Sequence, residues 1–344
     1  MRRILALAEG RFSPLRSKTA NGALAYLKIE VVAIVDSTKA GMTAQDVLGY
    51  GGAVPVVASI EKGMAFAPDS LLIGIAPPGG RLPDEWRQWI LAALRNGMNI
   101  LSGLHTILSD DAEFSLVAEE CGATITDWRK IPFEYEVVSK GNWRTRKAKT
   151  ILTVGSDCNI GKMTTMLEVY KEFQTRGHSS EFICTGQTGI MISGKGIAVD
   201  AVISDYIAGS IEKAIDAADA DGHEYIFVEG QGALTHQGYS GVTYGLMHGT
   251  MPNAMLLCHQ TTRLRDDFGM AIPDLTRLIR LHEEVISIFR PTKIVGIGIN
   301  SIGLSDEESM REAARIEDKT GLPAVDAFRF GGAKLADALE HYFH

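Results

Sequence analysis

Residues 150–165 read Thr150-Ile151-Leu152-Thr153-Val154-Gly155-Ser156-Asp157-Cys158-Asn159-Ile160-Gly161-Lys162-Met163-Thr164-Thr165, and they decide the fold of the second half of the chain. The apolar run before Gly155 predicts a strand, and the apolar positions after Lys162 recur with helical spacing. A glycine-bounded loop that leads into a helix N-terminus is typical of a phosphate loop. Its backbone N–H groups, the positive end of the helix and the lysine all attract an anion. We therefore predict that residues 155–165 form a phosphate site.

Two details of this loop differ from the common nucleotide-hydrolysing pattern. Five residues separate Gly155 from Gly161, one more than that pattern has. The residue after Lys162 is Met163, which has no hydroxyl group to bind Mg²⁺. The stretch predicts phosphate binding and gives no support for hydrolysis of a nucleotide. We predict no metal site from the protein's own residues.

The composition is that of an ordinary globular protein. The 344 residues carry a formal net charge of −8, and 45% of them are hydrophobic. The negative charge and the lack of a basic run argue against a nucleic-acid partner, and no apolar run approaches the length that crosses a bilayer. The 4 cysteines lie far apart and suggest neither a disulfide framework nor a local metal motif. We expect a cytoplasmic protein that forms a homo-oligomer and has no membrane partner.

Short apolar runs alternate with amphipathic segments throughout the chain. Over residues 1–145 this alternation predicts a Rossmann-like parallel-sheet domain, and over residues 146–344 it predicts a P-loop NTPase-like α/β domain. Asp36 ends the second predicted strand, where dinucleotide-binding folds place an acid that binds ribose. The turn after the first strand has no G-x-G-x-x-G, however, so we do not expect an NAD site.

Two stretches of the first half follow predicted strands and are candidate ligand contacts. Lys18 follows the first strand and residues 76–81 follow the fourth, which would bring both to the sheet edge where ligands bind. They are equally compatible with solvated loops. We interpret residues 127–149 as an interdomain connection with one edge strand, Tyr135–Val138.

The second half contains further candidates for substrate and nucleotide contacts. Residues 185–189, which include Gln187 and Thr188, have the composition of a second ligand-facing loop. Asp200 and Asp205 lie in an otherwise apolar run, where an unpaired carboxylate is costly, so they are either site residues or exposed caps. Arg263, after a later strand, could clamp a carboxylate or phosphate. Asn300 ends another strand, at a position from which an amide can read a nucleotide base.

Two residues of the loop after the strand Tyr225–Val228 are candidates for catalysis. Glu229 ends this strand, where phosphate-loop proteins place a carboxylate that faces magnesium or substrate. His236 lies further along the same loop and could transfer protons. A structural role is the alternative for both residues.

The motif from Gly155 to Lys162, together with Val228-Glu229-Gly230, resembles dethiobiotin synthetase. Over nearly its whole length the chain resembles a two-domain family long described as a domain of unknown function. The resemblance rests on Lys18-Thr19-Ala20, the phosphate loop, residues 185–189, the run from Asp200 to Asp205, and Glu229-Gly230-Gln231-Gly232. Some members of that family are described as D-glutamate N-acetyltransferases that act with acetyl-CoA.

The resemblance implies an acyltransferase in which the loop around Lys162 holds the pyrophosphate of acetyl-CoA and Asn300 lies near the base. The amine of a small acidic amino acid would attack the thioester, with Asp205, Glu229 or His236 as the general base and Arg263 or Lys18 on the substrate carboxylate. Two alternatives stay open. One is an enzyme that uses ATP and Mg²⁺, like dethiobiotin synthetase, with Thr164 or Glu229 on the metal. The other is a nucleotide-sensing protein without chemistry of its own.

Overall fold

The structure, a computed structural model, describes residues 2–27, 30–75 and 80–344. By its internal contacts the chain divides into two units. The first is Met1–Ile131 with Gln187–Ala201, and the second is Pro132–Gly186 with Val202–His344. The boundary predicted after residue 145 falls inside the second unit. Residues 76–79 of the predicted ligand contact at 76–81 lie outside the described residues.

The strands are short and buried. In chain order they are β1 (Ile4–Leu7), β2 (Val31–Val35), β3 (Val56–Val57), β4 (Ser70–Ile73), β5 (Asn99–Ser102), β6 (Ile125–Asp127), β7 (Lys149–Gly155), β8 (Ser180–Ile183), β9 (Tyr225–Val228), β10 (Ala254–Gln260), β11 (Lys293–Asn300) and β12 (Ala324–Val325).

The α-helices alternate with these strands. In chain order they are α1 (Lys18–Tyr26), α2 (Ala44–Leu48), α3 (Ile60–Gly63), α4 (Trp86–Arg95), α5 (Ala112–Cys121), α6 (Lys162–Thr175), α7 (Gln187–Ser193), α8 (Ile207–Ala220), α9 (Ser240–Thr250), α10 (Leu275–Ser287), α11 (Asp306–Thr320), α12 (Ala327–Phe330) and α13 (Ala333–Phe343). Within the described parts of the chain, no helix has both the length and the apolar character needed to cross a membrane.

The first unit contains a parallel sheet in the order β3-β2-β1-β4-β5-β6, which is the strand order of a Rossmann fold. Asp36, at the end of β2, is fully buried, and its carboxylate accepts hydrogen bonds from the N–H groups of Phe12 (2.9 Å) and Thr38 (3.0 Å). These bonds fix the turns after β1 and β2. The carboxylate therefore has a structural role at the position where dinucleotide-binding folds hold ribose.

The helix α7 belongs to the first unit although it follows β8 of the second unit in the chain. It packs on α1 so closely that a Cβ on Gly22 would lie 2.5 Å from Thr188 Cγ2, and Met191 is part of the core of the first unit. Gln187 and Thr188 therefore lie in a helix. The interpretation of residues 185–189 as one loop is wrong for this part.

The second unit contains a parallel sheet in the order β12-β11-β10-β7-β9-β8, with β7 and its phosphate loop near the centre. Local sequence signals set its helix ends. Ser305 and Glu308 form the predicted capping box of α11, and Gly321 ends that helix in the left-handed conformation. The carboxyl ends of β7 and β10 lie side by side, with Gly155 opposite Cys258.

The predicted edge strand Tyr135–Val138 is wrong. Phe133–Tyr135 forms a turn of 3₁₀ helix, and the chain beyond it packs against α8 instead of a sheet. Ser210 Oγ donates to the Tyr135 carbonyl (2.6 Å), and a Cβ on Gly209 would lie only 1.8 Å from the Val137 carbonyl oxygen. The small residues of α8 admit the backbone at this point, which takes it away from a strand partner.

Candidate phosphate-binding site

The loop between β7 and α6, residues 155–162, is called the phosphate loop below. Gly161 has a φ of 101°, which glycine adopts without strain, and α6 begins at the next residue. The Ser156 N–H donates to the Cys258 carbonyl (3.0 Å), which ties the start of the loop to β10. The loop thus ends at a helix N-terminus, whose first amide groups have no acceptor within their own helix.

Lys162 lies across the phosphate loop. The residue is 6% exposed, and its Nζ donates to the Asp157 carbonyl (2.7 Å). A Cβ on Gly155 would lie 3.0 Å from Lys162 Nζ, and a Cβ on Gly230 would lie 3.1 Å from Lys162 Cδ. Glycine at both positions leaves room for the lysine chain, which brings a nearly buried positive charge to the loop.

The residues after Lys162 turn into the protein. Met163 is buried, and Thr165 packs under β11, where a Cβ on Gly298 would lie 2.6 Å from its Oγ1. Thr164 is partly exposed in the first turn of α6. The position directly after the lysine therefore offers a thioether, which is a poor ligand for Mg²⁺.

A buried carboxylate lies within the phosphate loop and is neutralised by Arg263. The Asp157 side chain is 0% exposed; its Oδ1 accepts from the Cys158 N–H (2.7 Å) and its Oδ2 accepts from Arg263 Nη1 (2.6 Å). Arg263 Nη1 also donates to the Cys158 carbonyl (3.0 Å). Arg263, which the sequence assigned to a substrate carboxylate, thus contacts the loop itself. Without it, the Asp157 charge would oppose a bound phosphate.

His259 also supports the loop. Ser156 Oγ and His259 Nδ1 share a hydrogen bond of 2.9 Å. Burial, followed by a smaller repulsion from Arg315, lowers the pKa of His259 to about 4. The ring is therefore neutral at pH 7 and adds no charge beside the phosphate loop. Sequence reasoning did not single out this residue, although its place at the end of β10 was a usable signal.

Glu229 is buried at the end of β9, and its carboxylate joins two strand ends. Its Oε2 accepts from the N–H groups of Thr185 (3.0 Å) and Gly186 (3.2 Å), and Thr185 Oγ1 donates to the Glu229 carbonyl (2.7 Å). Gly230 follows directly and contacts Lys162 as described above. Glu229 therefore lies at the border of the phosphate loop.

His236 comes close to the phosphate loop in space. The residue is 1% exposed, and one of its ring nitrogens, an Asp157 carboxylate oxygen and Cys158 Sγ lie within 4.8 Å of one another. The ring lines a small cavity together with Ser156, Asp157, Thr235 and other residues.

Asn300 lies beside the glycine that ends the phosphate loop. A Cβ on Gly161 would be 3.9 Å from Asn300 Nδ2, and Asn300 Oδ1 accepts from the Ile302 N–H (3.1 Å). The remaining loop residues support its shape: Ile160 is buried, with its Cδ1 3.0 Å from a Cβ built on Gly155, and Asn159 takes a left-handed φ of 53°.

Several predicted substrate residues lie in the first unit. Asp200 forms a two-pronged ion pair with Arg129, from Nε to Oδ1 (3.1 Å) and from Nη2 to Oδ2 (2.6 Å), and Gln187 Oε1 accepts from Arg129 Nη2 (3.1 Å). Lys18 is the first residue of α1 and is partly exposed. Arg129 is 8% exposed and holds the segment 187–201 in the first unit. Sequence analysis did not single out this arginine.

Asp205 is placed differently from the other catalytic candidates. It lies in a turn of 3₁₀ helix, Ser204–Tyr206, directly before α8, and its side chain is exposed. Asp205, Glu229 and His236 all belong to the second unit. Glu229 and His236 border the phosphate loop, whereas Asp205 lies on the surface at the start of α8.

The two halves of the chain match two known domains. Residues 137–336, more than half of the chain, match a family model described as a domain of unknown function (DUF1611_C), P-loop domain, and residues 37–131 match the DUF1611_N Rossmann-like domain. The chain belongs to the DUF1611 family. The predicted fold class, with a Rossmann-like and a P-loop domain, is confirmed.

Relatives and one solved structure extend over most of the chain. A D-glutamate N-acetyltransferase of Tritonibacter scottomollicae is 40% identical over 82% of this chain and 84% of that protein. One of a Pseudoalteromonas species is 34% identical over 79% of this chain and 82% of that protein. The crystal structure of a DUF1611 family protein from Anabaena variabilis is 35% identical, with a TM-score of 0.94, and covers 99% of this chain and 100% of that chain. The predicted family is confirmed, and these relatives support the prediction that the chain is an N-acetyltransferase.

Proposed function

We propose that this DUF1611 protein transfers an acetyl group from acetyl-CoA to the amine of a small acidic amino acid such as D-glutamate, and that the phosphate loop binds the pyrophosphate of CoA. The observation that carries the proposal is a nearly buried lysine in a glycine-bounded loop that has a thioether where hydrolytic loops have a hydroxyl group. Such a loop suits a diphosphate that is held and not cleaved. The relatives named D-glutamate N-acetyltransferase support the reaction and the substrate.

The reaction needs a free amine. A general base removes a proton from the substrate ammonium group, the amine attacks the thioester carbonyl, and the carbon–sulfur bond breaks as CoA leaves as a thiolate. A positioned base contributes about 10²–10⁴-fold to such a step.

The three candidate bases differ in their exposure. Glu229 is buried, with its carboxylate accepting from the N–H groups of Thr185 and Gly186, and His236 is buried beside the phosphate loop. We therefore assign the base to Asp205, whose carboxylate is exposed.

The proposal is tested by mixing the purified protein with acetyl-CoA and D-glutamate, L-glutamate or D-aspartate. Thiol release and the mass of the N-acetylated product are followed. We expect thiol release that depends on one of these amino acids, and loss of CoA binding in Lys162→Ala. Calorimetry with ATP, with and without Mg²⁺, is the comparison. Tight Mg²⁺-dependent ATP binding without any response to acetyl-CoA would contradict the proposal.

The base assignment has its own test. Asp205→Asn should lower kcat by about 10²–10⁴-fold and leave the affinity for CoA unchanged, because the phosphate loop is intact. Asp221→Asn is the matched control, since Asp221 is an exposed carboxylate just after the other end of α8. If both variants keep the wild-type kcat, Asp205 is not the base.

A further inference from the structure

The ring of His236 is held in one orientation and one tautomer. It stacks on Tyr239, with ring centroids 4.9 Å apart, and packs against Phe268 at 5.0 Å. The Gly238 N–H donates to His236 Nδ1 (3.2 Å). A nitrogen that accepts a hydrogen bond carries no proton, so in the neutral ring the proton is on Nε2.

This Nε2–H group has no hydrogen-bond partner among the described residues, and its atom is buried. A buried donor without an acceptor costs about 1–3 kcal/mol, and native proteins leave few of them. An acceptor from outside the chain is the simplest way to remove this cost.

The surroundings of the ring favour one acceptor. His236 lines a cavity with Ser156, Asp157 and Asp266 at the edge of the phosphate loop, and Asp266 Oδ1 accepts from the N–H groups of Phe268 (2.9 Å) and Met270 (2.8 Å). Both oxygens of the Asp157 carboxylate already accept hydrogen bonds, from the Cys158 N–H and from Arg263. An oxygen of a ligand bound in the phosphate loop would supply the acceptor that the Nε2–H group needs. We propose that His236 Nε2–H donates to a phosphate oxygen of the molecule bound in the phosphate loop.

A metal ion fits the same residues less well, although Asp157, Cys158 and His236 bring three possible ligand atoms together. A histidine that binds a metal through one nitrogen almost always donates a proton from the other. Here the other nitrogen accepts from Gly238, and Asp157 already pairs with a guanidinium group. The geometry favours an anionic oxygen.

The inference rests on the proposed phosphate-binding role of the loop, and it gives His236 a binding role in place of proton abstraction. The Nε2 position holds a proton, and the lone pair on Nδ1 faces a backbone N–H. The ring can therefore donate to a ligand but has no lone pair directed at one. This agrees with the assignment of the general base to Asp205.

Two substitutions separate donation from proton abstraction. In His236→Gln the side-chain amide can place an N–H near the position of Nε2 but cannot act as a base, and His236→Ala removes both. Calorimetry with inorganic pyrophosphate and with CoA should show about a 10- to 100-fold weaker affinity for His236→Ala, as for loss of a hydrogen bond to a charged group. His236→Gln should bind both ligands within about threefold of the wild-type affinity. The thermal midpoints of the two variants show whether each keeps the fold.

The matched control is His248→Gln. His248 is half-buried on α9 and contacts Tyr244 and Phe289, so its loss should not change pyrophosphate affinity. Nitrogen-15 NMR of labelled histidine should show the proton on Nε2 of His236 and a shift of that signal on addition of pyrophosphate.

Three results would overturn the inference. One is wild-type pyrophosphate affinity in His236→Ala. Another is a ring protonated on Nδ1 in the free protein. The third is a stoichiometric divalent metal in the wild-type protein that is lost in His236→Ala. If the wild-type protein binds neither pyrophosphate nor CoA, the proposed role of the loop is refuted instead. Failure of the His236 inference and failure of the proposed function therefore give different results.

Discussion

Replacement of Arg263 by alanine should uncover a buried negative charge inside the phosphate loop. The Asp157 side chain is 0% exposed, and Arg263 is its cationic partner at 2.6 Å. Removal of one member of a buried ion pair costs about 3–5 kcal/mol. Because the Arg263 side chain is 19% exposed, water can reach part of the site, so we expect the lower end, about 3 kcal/mol. The Cys158 carbonyl also loses a donor at 3.0 Å.

The assay is a double-mutant cycle. Arg263→Ala, Asp157→Asn and the double variant are compared by urea denaturation and by hydrogen exchange of the peptide that covers residues 150–165. The double variant has no unpaired charge, so it should recover about 2 kcal/mol relative to Arg263→Ala. Arg263→Ala should also weaken pyrophosphate binding more than tenfold, with recovery in the double variant, because an unpaired Asp157 repels the ligand.

Arg265→Ala is the control for this cycle. Arg265 lies two positions further along the chain, is exposed, and donates to the Gly269 carbonyl (2.6 Å), so its loss should cost less than about 0.5 kcal/mol. A coupling energy below about 0.5 kcal/mol between Arg263 and Asp157 would refute the electrostatic reasoning.

Three further predictions concern Gly230, Glu229 and His282 of the second unit. Gly230→Ala places a Cβ 1.8 Å from the Thr153 carbonyl oxygen, so it should lower the free energy of unfolding by about 1–3 kcal/mol. Because Gly230 also adjoins Lys162, the same variant should bind pyrophosphate more weakly. Gly241→Ala is the control in urea denaturation: a Cβ there has nothing within 4 Å, so this variant should be as stable as wild type or more stable. Glu229→Ala leaves the N–H groups of Thr185 and Gly186 without their acceptor, so it should lower the free energy of unfolding by about 3 kcal/mol in urea denaturation. Glu229→Gln keeps one side-chain oxygen as an acceptor and should lower it by about 1 kcal/mol. Burial lowers the pKa of His282 from 6.5 to about 4. Between pH 6.5 and pH 4 the unfolded chain therefore binds a proton at this residue that the folded protein does not. The free energy of unfolding should fall as the pH is lowered through this range. From pH 7 to pH 5 the wild type should lose about 2 kcal/mol more than His282→Leu; equal losses in pH-dependent denaturation would contradict this sign.

Local patterns were sufficient for most of the fold. The strand Tyr225–Val228, the helix that begins at Lys162 and the capping box at Ser305 all depend on neighbours within a few residues, and the structure has each where the sequence predicts it. The predicted edge strand at Tyr135–Val138 failed because its β-branched and aromatic residues meet a long-range competitor. The small residues of α8 admit that backbone, and nothing near Tyr135 in the chain reveals it.

The site divides in the same way. The phosphate loop could be read from the sequence, because its glycines, its lysine and its helix start are contiguous. The partners of that loop come from the ends of other strands: Arg263 after β10 neutralises Asp157, and His236 after β9 reaches its edge. The sequence placed both residues after strands but could not say which contacts they make, since side-chain direction there depends on how the loops pack.

The sequence by itself determined two parallel α/β sheets and the glycine-bounded loop before α6, because hydrophobic period, glycine position and helix capping act over short distances along the chain. Only the tertiary structure decided that Gln187–Ala201 joins the first unit through Arg129, that Arg263 contacts the phosphate loop, and that His236 lies beside it. Each of these contacts joins charged or hydrogen-bonding groups that are tens of residues apart along the chain. The packing of the folded chain selects which groups are buried together, and local sequence patterns do not report that packing.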